Sequence, residues 1–302
     1  MIRPSRVRSC LYRSVSLVVA AVGAALLAGC AGSTPAPAAS AAAGSATGHV
    51  HGLGVDPADG RTYVATHHGL YRVAATGLEK IGVSATSDRD LMGFLVAGPR
   101  VYLSSGHPAP DEAVTRNPLG LVRSTDGGAS WQSVALDGEV DFHALDQGRG
   151  ALYGVDSEGA LRTSTNGGTR WESLPAPPAL DVAAEPGGAG RVILAVSGGV
   201  ATSTGAGEPS AGPTSFIVSP SPQLVFLSWA PDGELYGLTP DAQLLASTDG
   251  GSTWLPRGSV PGGRPQALTA VGQGRVLAAT VGGIHDSRDG GRSFATAVQG
   301  PP

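Results

Sequence analysis

Ser124-Thr-Asp-Gly-Gly-Ala-Ser-Trp131 recurs as Ser164-Thr-Asn-Gly-Gly-Thr-Arg-Trp171, Ser247-Thr-Asp-Gly-Gly-Ser-Thr-Trp254 and Ser287-Arg-Asp-Gly-Gly-Arg-Ser-Phe294. Successive copies start 40, 83 and 40 residues apart. The longer gap is close to two periods and holds a worn copy, Ser203-Thr-Gly-Ala-Gly207. A period of about 40 residues filled with short β segments is the signature of a propeller of stacked four-stranded blades. The sequence therefore predicts an all-β, six-bladed β-propeller.

Residues 141–177 supply the blade template. Its four strands are Asp141–Leu145, Ala151–Val155, Ala160–Thr163 and Trp171–Leu174, alternating in polarity and joined by turns rich in Gly and Asp. The same pattern places blade 1 at 49–84, blade 2 at 90–138, blade 4 at 179–218, blade 5 at 223–260 and blade 6 at 265–299. The repeated phrase falls between the third and fourth strands of a blade. Ser124, Ser164, Ser247 and Ser287 open it. Asp126, Asn166, Asp249 and Asp289 accept backbone N–H groups within the turn. The glycine pairs ending in Gly128, Gly168, Gly251 and Gly291 supply positive φ. Trp131, Trp171, Trp254 and Phe294 fill the seam between blades. Four equivalent copies facing away from the axis read as structure rather than catalysis. Asn166, and Gly205 in the worn copy, weaken their turns.

The phrase resembles the Asp-box, or BNR repeat, of sialidases, sortilin-type ectodomains and photosystem assembly factors. That resemblance covers about 250 residues as architecture and says little about chemistry, because the box recurs across unrelated activities. The whole chain also resembles bacterial lipoproteins labelled sialidase-like or glycosyl hydrolase, which open on a His-x-His-Gly-Leu phrase matched by His49 to Leu53.

Residues 1–30 stand outside the fold. Arg3, Arg6, Arg8 and Arg13 form a basic leader, and Val15 to Leu27 is an apolar run too short for a stable bilayer span. Leu27-Ala28-Gly29-Cys30 resembles the lipobox of bacterial lipoprotein signal peptides, in which the cysteine is acylated and becomes the first mature residue. The expectation is a lipid on Cys30 and a protein held at the extracytoplasmic face of the cell membrane. Cys10 leaves with the signal, so the mature chain has no disulfide and no free thiolate. Removing four arginines leaves 16 basic against 24 acidic residues, a balance of −8 that argues against nucleic acid. Residues 31–48 are a disordered Ala/Ser/Gly/Pro tether of roughly 25 Å, and 49–302 form one propeller domain.

In a propeller each innermost strand starts at one face, and the loop after the second strand returns there. Blades 1 to 3 place His49 and His51, Asp90 and Met92, and Asp141 and His143 at that start. Asp181, Val225, and Arg264 with Gln266 follow in blades 4 to 6. Aligning Tyr63 with Tyr102 makes His68 equivalent to His107 and turns His67 to solvent. Six of the seven histidines thus fall on one face of three adjacent blades, while His285 lies elsewhere. Imidazole and thioether are ligands for late transition metals, with carboxylates as orienting partners. The expected core ligands are His51 and His143, with His49, His68, His107 and Met92 as further candidates, holding copper or zinc. A solvated polar funnel with Met92 in the core is the competing reading, and an organic ligand on the same groups is the third. No nucleotide or organic cofactor is indicated. The insertion 108–118 in blade 2 springs from His107 and would either lid the funnel or form a free flap.

Binding is favoured over catalysis. A sialidase uses an arginine triad, a Tyr nucleophile with a Glu partner, and an Asp acid/base; the Arg-Ile-Pro phrase expected in its first blade is replaced here by His49-Val-His51. A glycoside hydrolase would draw on Asp90, Asp141 and Glu158. A non-catalytic assembly scaffold is the remaining alternative, and it lacks a visible basic patch.

Overall fold

The computed structural model describes residues 48–82, 87–110, 112–113, 116–187, 190–203 and 215–300. The leader with Cys30, tether residues 31–47, the worn box after Ser203, Asp111 of the blade 2 insertion and the expected end of blade 1 at 83–84 lie outside these residues.

Among the described residues, twenty-four strands form six antiparallel four-stranded sheets, each from consecutive strands. Blade 1 is β1 (Val50–Val55), β2 (Thr62–Thr66), β3 (Gly69–Ala74) and β4 (Gly77–Lys80). Blade 2 is β5 (Asp90–Gly98), β6 (Val101–His107), β7 (Leu121–Ser124) and β8 (Gln132–Ala135). Blade 3 is β9 (Phe142–Gly148), β10 (Ala151–Asp156), β11 (Leu161–Ser164) and β12 (Glu172–Ser173). Blade 4 is β13 (Ala179–Ala184), β14 (Val192–Val196), β15 (Gly199–Ser203) and β16 (Phe216–Ser219). Blade 5 is β17 (Phe226–Trp229), β18 (Leu235–Leu238), β19 (Gln243–Ser247) and β20 (Leu255–Ser259). Blade 6 is β21 (Pro265–Gly272), β22 (Arg275–Thr280), β23 (Gly283–Ser287) and β24 (Ala295–Gln299). The innermost strands pack in a ring, β1 on β5, then β9, β13, β17 and β21, which returns to β1. This is the six-bladed propeller that the 40-residue period predicts.

The core is divided among the seams. Six apolar clusters each join two neighbouring blades. Second strands such as β2, β10, β14 and β18 are buried along their whole length, because a neighbouring blade covers each face. Trp131, Trp171, Trp254 and Phe294 lie in four of these clusters, as expected of the residue that closes the box.

The boxes are hydrogen-bonded turns between third and fourth strands. In blade 2, Asp126 Oδ1 accepts the Ser130 N–H at 3.0 Å, and Oδ2 accepts the Ser130 hydroxyl at 2.6 Å. Ser124 Oγ accepts the Gly128 N–H at 2.8 Å. Asn166 keeps the backbone bond, from Arg170 N–H at 2.9 Å, but position 170 has no hydroxyl to add a second. Gly127 and Gly128 take φ of 77° and 88°.

Around the axis, side chains latch the innermost strands from β9 through β13, β17 and β21 to β1. Asp146 Oδ2 accepts Ala184 N–H at 2.8 Å, Asp181 Oδ2 accepts Leu227 N–H at 2.7 Å, and Ser228 Oγ accepts Ala270 N–H at 2.8 Å. Thr269 of β21 reaches β1 by donating to Leu53 O at 2.7 Å.

Candidate metal centre

The first strands of all six blades wall a central cavity of about 350 Å³, which both His51 and His143 line. The ladder between β1 and β2 is irregular between Val50 and Gly52. His51 therefore has no partner in that ladder, and its ring turns into the cavity. Gly48 holds φ of 68° where a Cβ would stand 3.3 Å from His67, so the chain entering β1 lies against that ring.

His49, His51 and His67 each offer a ring nitrogen, and these atoms lie within 4.8 Å of one another. Asp90, from the start of β5 in the next blade, closes the group. Its Oδ1 is 3.2 Å from His51 Nε2 and its Oδ2 is 3.0 Å from His67 Nδ1. His51 Nε2 and His67 Nδ1 are themselves 3.1 Å apart. The three imidazoles and one carboxylate span the seam of blades 1 and 2.

A second group spans the next seam. Asp141 Oδ2 is 3.0 Å from His143 Nε2 and 3.4 Å from His107 Nε2. His107 Nδ1 donates to Asn117 Oδ1 at 2.7 Å, which ties the blade 2 insertion to this histidine.

His67, expected to face solvent, is exposed, and it also aims Nδ1 at Asp90 and His51. One expectation is corrected here. His68 is exposed, with its ring centroid 6.4 Å from that of His67, and it is not the counterpart of His107. The ladder decides this. His67 N–H bonds to His49 O, while His107 pairs with Asp90, the residue equivalent to His49. Strand β6 has one more residue between its tyrosine and that point than β2 has, so alignment on the tyrosines slips by one. The signal that finds His67 is the pairing register.

The remaining sequence candidates are placed as follows. His51 joins His49 and His67, and His143 joins His107 and Asp141. Met92 is half-buried on β5, where its carbonyl accepts the Ser104 hydroxyl at 2.7 Å. Glu158 is exposed in the turn before β11, while Asp90 and Asp141 are each engaged by two histidines. Asp181 is not at the rim. It lies one position deeper, because Leu180 fills the irregularity that His51 fills in β1. His285 is buried, with Thr280 and Thr296 hydroxyls at its two ring nitrogens, as a core residue.

The electrostatics keep the first group ready for a cation. Burial, followed by the neighbouring His51, His67 and Arg264, lowers His49 to about 4, so its ring is neutral at neutral pH. Burial pushes the Asp90 carboxyl up, but hydrogen bonds from His51 and His67 outweigh it and hold the group below the usual carboxylate range. A neutral imidazole at His49 and an ionised carboxylate at Asp90 are in the protonation states that metal binding requires. This arrangement could hold a metal ion. In the second group, the Asp141 hydrogen bond raises His143.

No family model matches the sequence, and no curated protein matches it. Solved structures do match in fold. An ancestral GH74 enzyme aligns at a TM-score of 0.52 and 16% identity, over 80% of this chain and 36% of that one. The extracellular domain of a hybrid two-component system from B. thetaiotaomicron aligns at 0.54 and 12%, over 84% and 33%. The chain thus spans about a third of the length of these two neighbours. YCF48 from Cyanidioschyzon merolae aligns at 0.50 and 15%, over 83% and 85%. At such identities the likeness shows a shared β-propeller fold and nothing of a shared activity.

Proposed function

We propose that this chain is a lipid-anchored extracytoplasmic propeller that binds a divalent transition-metal ion, zinc or copper, through His49, His51 and His67 with Asp90. One observation carries the reading. A tetrahedral ion with bonds of about 2.0–2.1 Å keeps its ligand atoms about 3.3–3.4 Å apart. His51 Nε2 and His67 Nδ1 are 3.1 Å apart, just inside that edge, each has a different Asp90 oxygen at 3.2 or 3.0 Å, and a His49 nitrogen lies within 4.8 Å of both histidines. Imidazole and carboxylate donors suit zinc(II) or copper(II) better than copper(I), which favours thioether and thiolate. Arg264 beside His49 opposes the cation, and Asp90 offsets it. The basic leader, the apolar run from Val15 and the Leu27–Cys30 phrase support the anchor.

The test uses the full chain purified without a polyhistidine tag, stripped with chelator and titrated with zinc or copper(II). Thermal unfolding of the wild type should shift upward, by about 2.7 kcal/mol of stabilisation at a hundredfold excess over Kd. His67→Ala should lose most of the shift due to this ion, and His68→Ala should keep it. A wild type that takes up neither ion sinks the reading.

A further inference from the structure

Asp90 is the one proposed ligand that comes from blade 2, and it is the first residue of β5. The end of an element is where local opening costs least. The Asp90 carboxylate is engaged by His51 and His67, so the hold on its backbone comes from other residues.

Both ends of the blade 2 insertion close on this point. At the far end, Leu119 N–H donates to Gly106 O at 2.8 Å. Gly106, with φ of 115°, lies so close to Asp90 that a Cβ on it would stand 2.0 Å from Asp90 O. At the near end, Glu112 turns back onto Arg89, the residue before Asp90. Arg89 Nε donates to Glu112 Oε1 and Oε2 at 3.2 and 2.9 Å, and Nη2 donates to Oε1. Glu112 Oε2 also accepts the Ala109 N–H at 3.2 Å, which ties the pair to the root of the insertion.

Depth sets the weight of this pair. Asp88 and Arg89 each carry an ion pair. Asp88 and its partner Lys80 have side chains 58% and 33% exposed, and an exposed pair contributes little. The Arg89 and Glu112 side chains are only 8% exposed, and the guanidinium grips the carboxylate as a fork. Removing one partner would leave the other's charge buried and uncompensated. Of the two pairs, the fork is the one able to fix the main chain entering β5.

We propose, on the metal reading above, that Arg89 and Glu112 are positioning residues: their ion pair holds Asp90 at the blade 1 histidines. Neither side chain touches the ion. The insertion braces a ligand, and because such coupling is reciprocal, a bound ion in turn steadies the insertion.

Zinc affinity of the chelator-stripped full chain and limited proteolysis test this together. Glu112→Gln, which keeps the shape and loses the charge, should bind zinc at least about tenfold more weakly, as loss of a ligand's outer support does. Glu112→Asp keeps the charge and should recover part of that loss. Asp88→Asn, which opens the exposed pair beside Arg89, should bind as the wild type does. In the wild type, zinc should slow tryptic cleavage after exposed Arg116, and His67→Ala should abolish the slowing. A role confined to folding would lower the unfolding temperature of Glu112→Gln without making cleavage at Arg116 respond to zinc. Equal affinities of Glu112→Gln and wild type overturn the inference and leave the metal reading standing, as does an equal loss in Asp88→Asn. Where Glu112→Gln does not fold, the protease arm decides, and cleavage at Arg116 indifferent to zinc overturns the inference. A wild type that binds no zinc overturns both readings.

Discussion

A β-carbon added at Gly128 would stand 2.2 Å from Leu70 Cδ2 of the preceding blade, on a backbone whose φ is +88°. Gly168 meets Leu121 and Gly291 meets Leu244 in the same way. The second box glycine therefore does two things: it closes a turn and lets that turn lie directly on the neighbouring blade. Left-handed strain and overpacking each cost on the order of 1–3 kcal/mol. Gly128→Ala should accordingly lose at least about 2 kcal/mol in urea denaturation. Gly98→Ala, where φ is not positive and nothing lies within 4 Å, should be neutral or slightly stabilising. Equal losses at the two positions would show that the seam contact is immaterial. At this scale the sequence is readable where a residue type has one physical use. Gly in a repeated turn and Trp at its end are such cases, and both stand where the period put them. His67 is the counterexample. Its neighbour His68 has the same chemistry, and only the one-residue difference between β2 and β6 tells them apart.

At the scale of elements, the innermost strands are joined by half-buried carboxylates lining the cavity that the sequence reads poorly. Asp181 looks like a rim residue until the irregularity of β13 moves it down the channel. There the surrounding protein, with Asp146 nearby, raises its carboxyl to about 7, while N–H groups of Leu227 and Val182 only partly offset the shift. Asp146 is raised to about 7 by burial too. An acid whose folded pKa exceeds its unfolded value binds protons more tightly when folded. Its contribution is present in full below the unfolded value and is lost as pH rises toward 7. Asp181→Asn removes that titration at the cost of one acceptor. The variant should be less stable than wild type at pH 5, and the gap should narrow at pH 8, where the wild type carries the buried charge. Histidine titrations common to both proteins cancel in this difference. A gap that stays constant, or widens with pH, would mean that Asp181 titrates as an ordinary carboxylate in the folded state.

For the molecule as a whole, the decisive joint is the one that the chain does not cross. Many contacts between blades are backed by a covalent connection, but blade 6 meets blade 1 with no strand exchanged between their sheets. Closure rests on the cluster of Val50, Leu53 and Val64 against Leu277, Ala279 and Ile284. It rests also on the bond from Thr269 to Leu53 O and a longer one from Val50 N–H to Gln266 Oε1 at 3.4 Å. The 40-residue period announces how many blades there are, but it is silent on how the ring is fastened, because closure depends on residues about 216 positions apart. Leu53 is 4% exposed in this seam, and Leu53→Ala should cost about 2–5 kcal/mol. Thr269→Val removes one hydrogen bond to the same strand and should cost about 1 kcal/mol. Because loosening this seam frees blade 1 along with its neighbour, Leu53→Ala should also expose the 48–82 segment to protease under native conditions before blades 3 to 5 are cut. Cleavage spread evenly over the six blades would show instead that the ring unfolds as one unit and that the closing seam has no special standing.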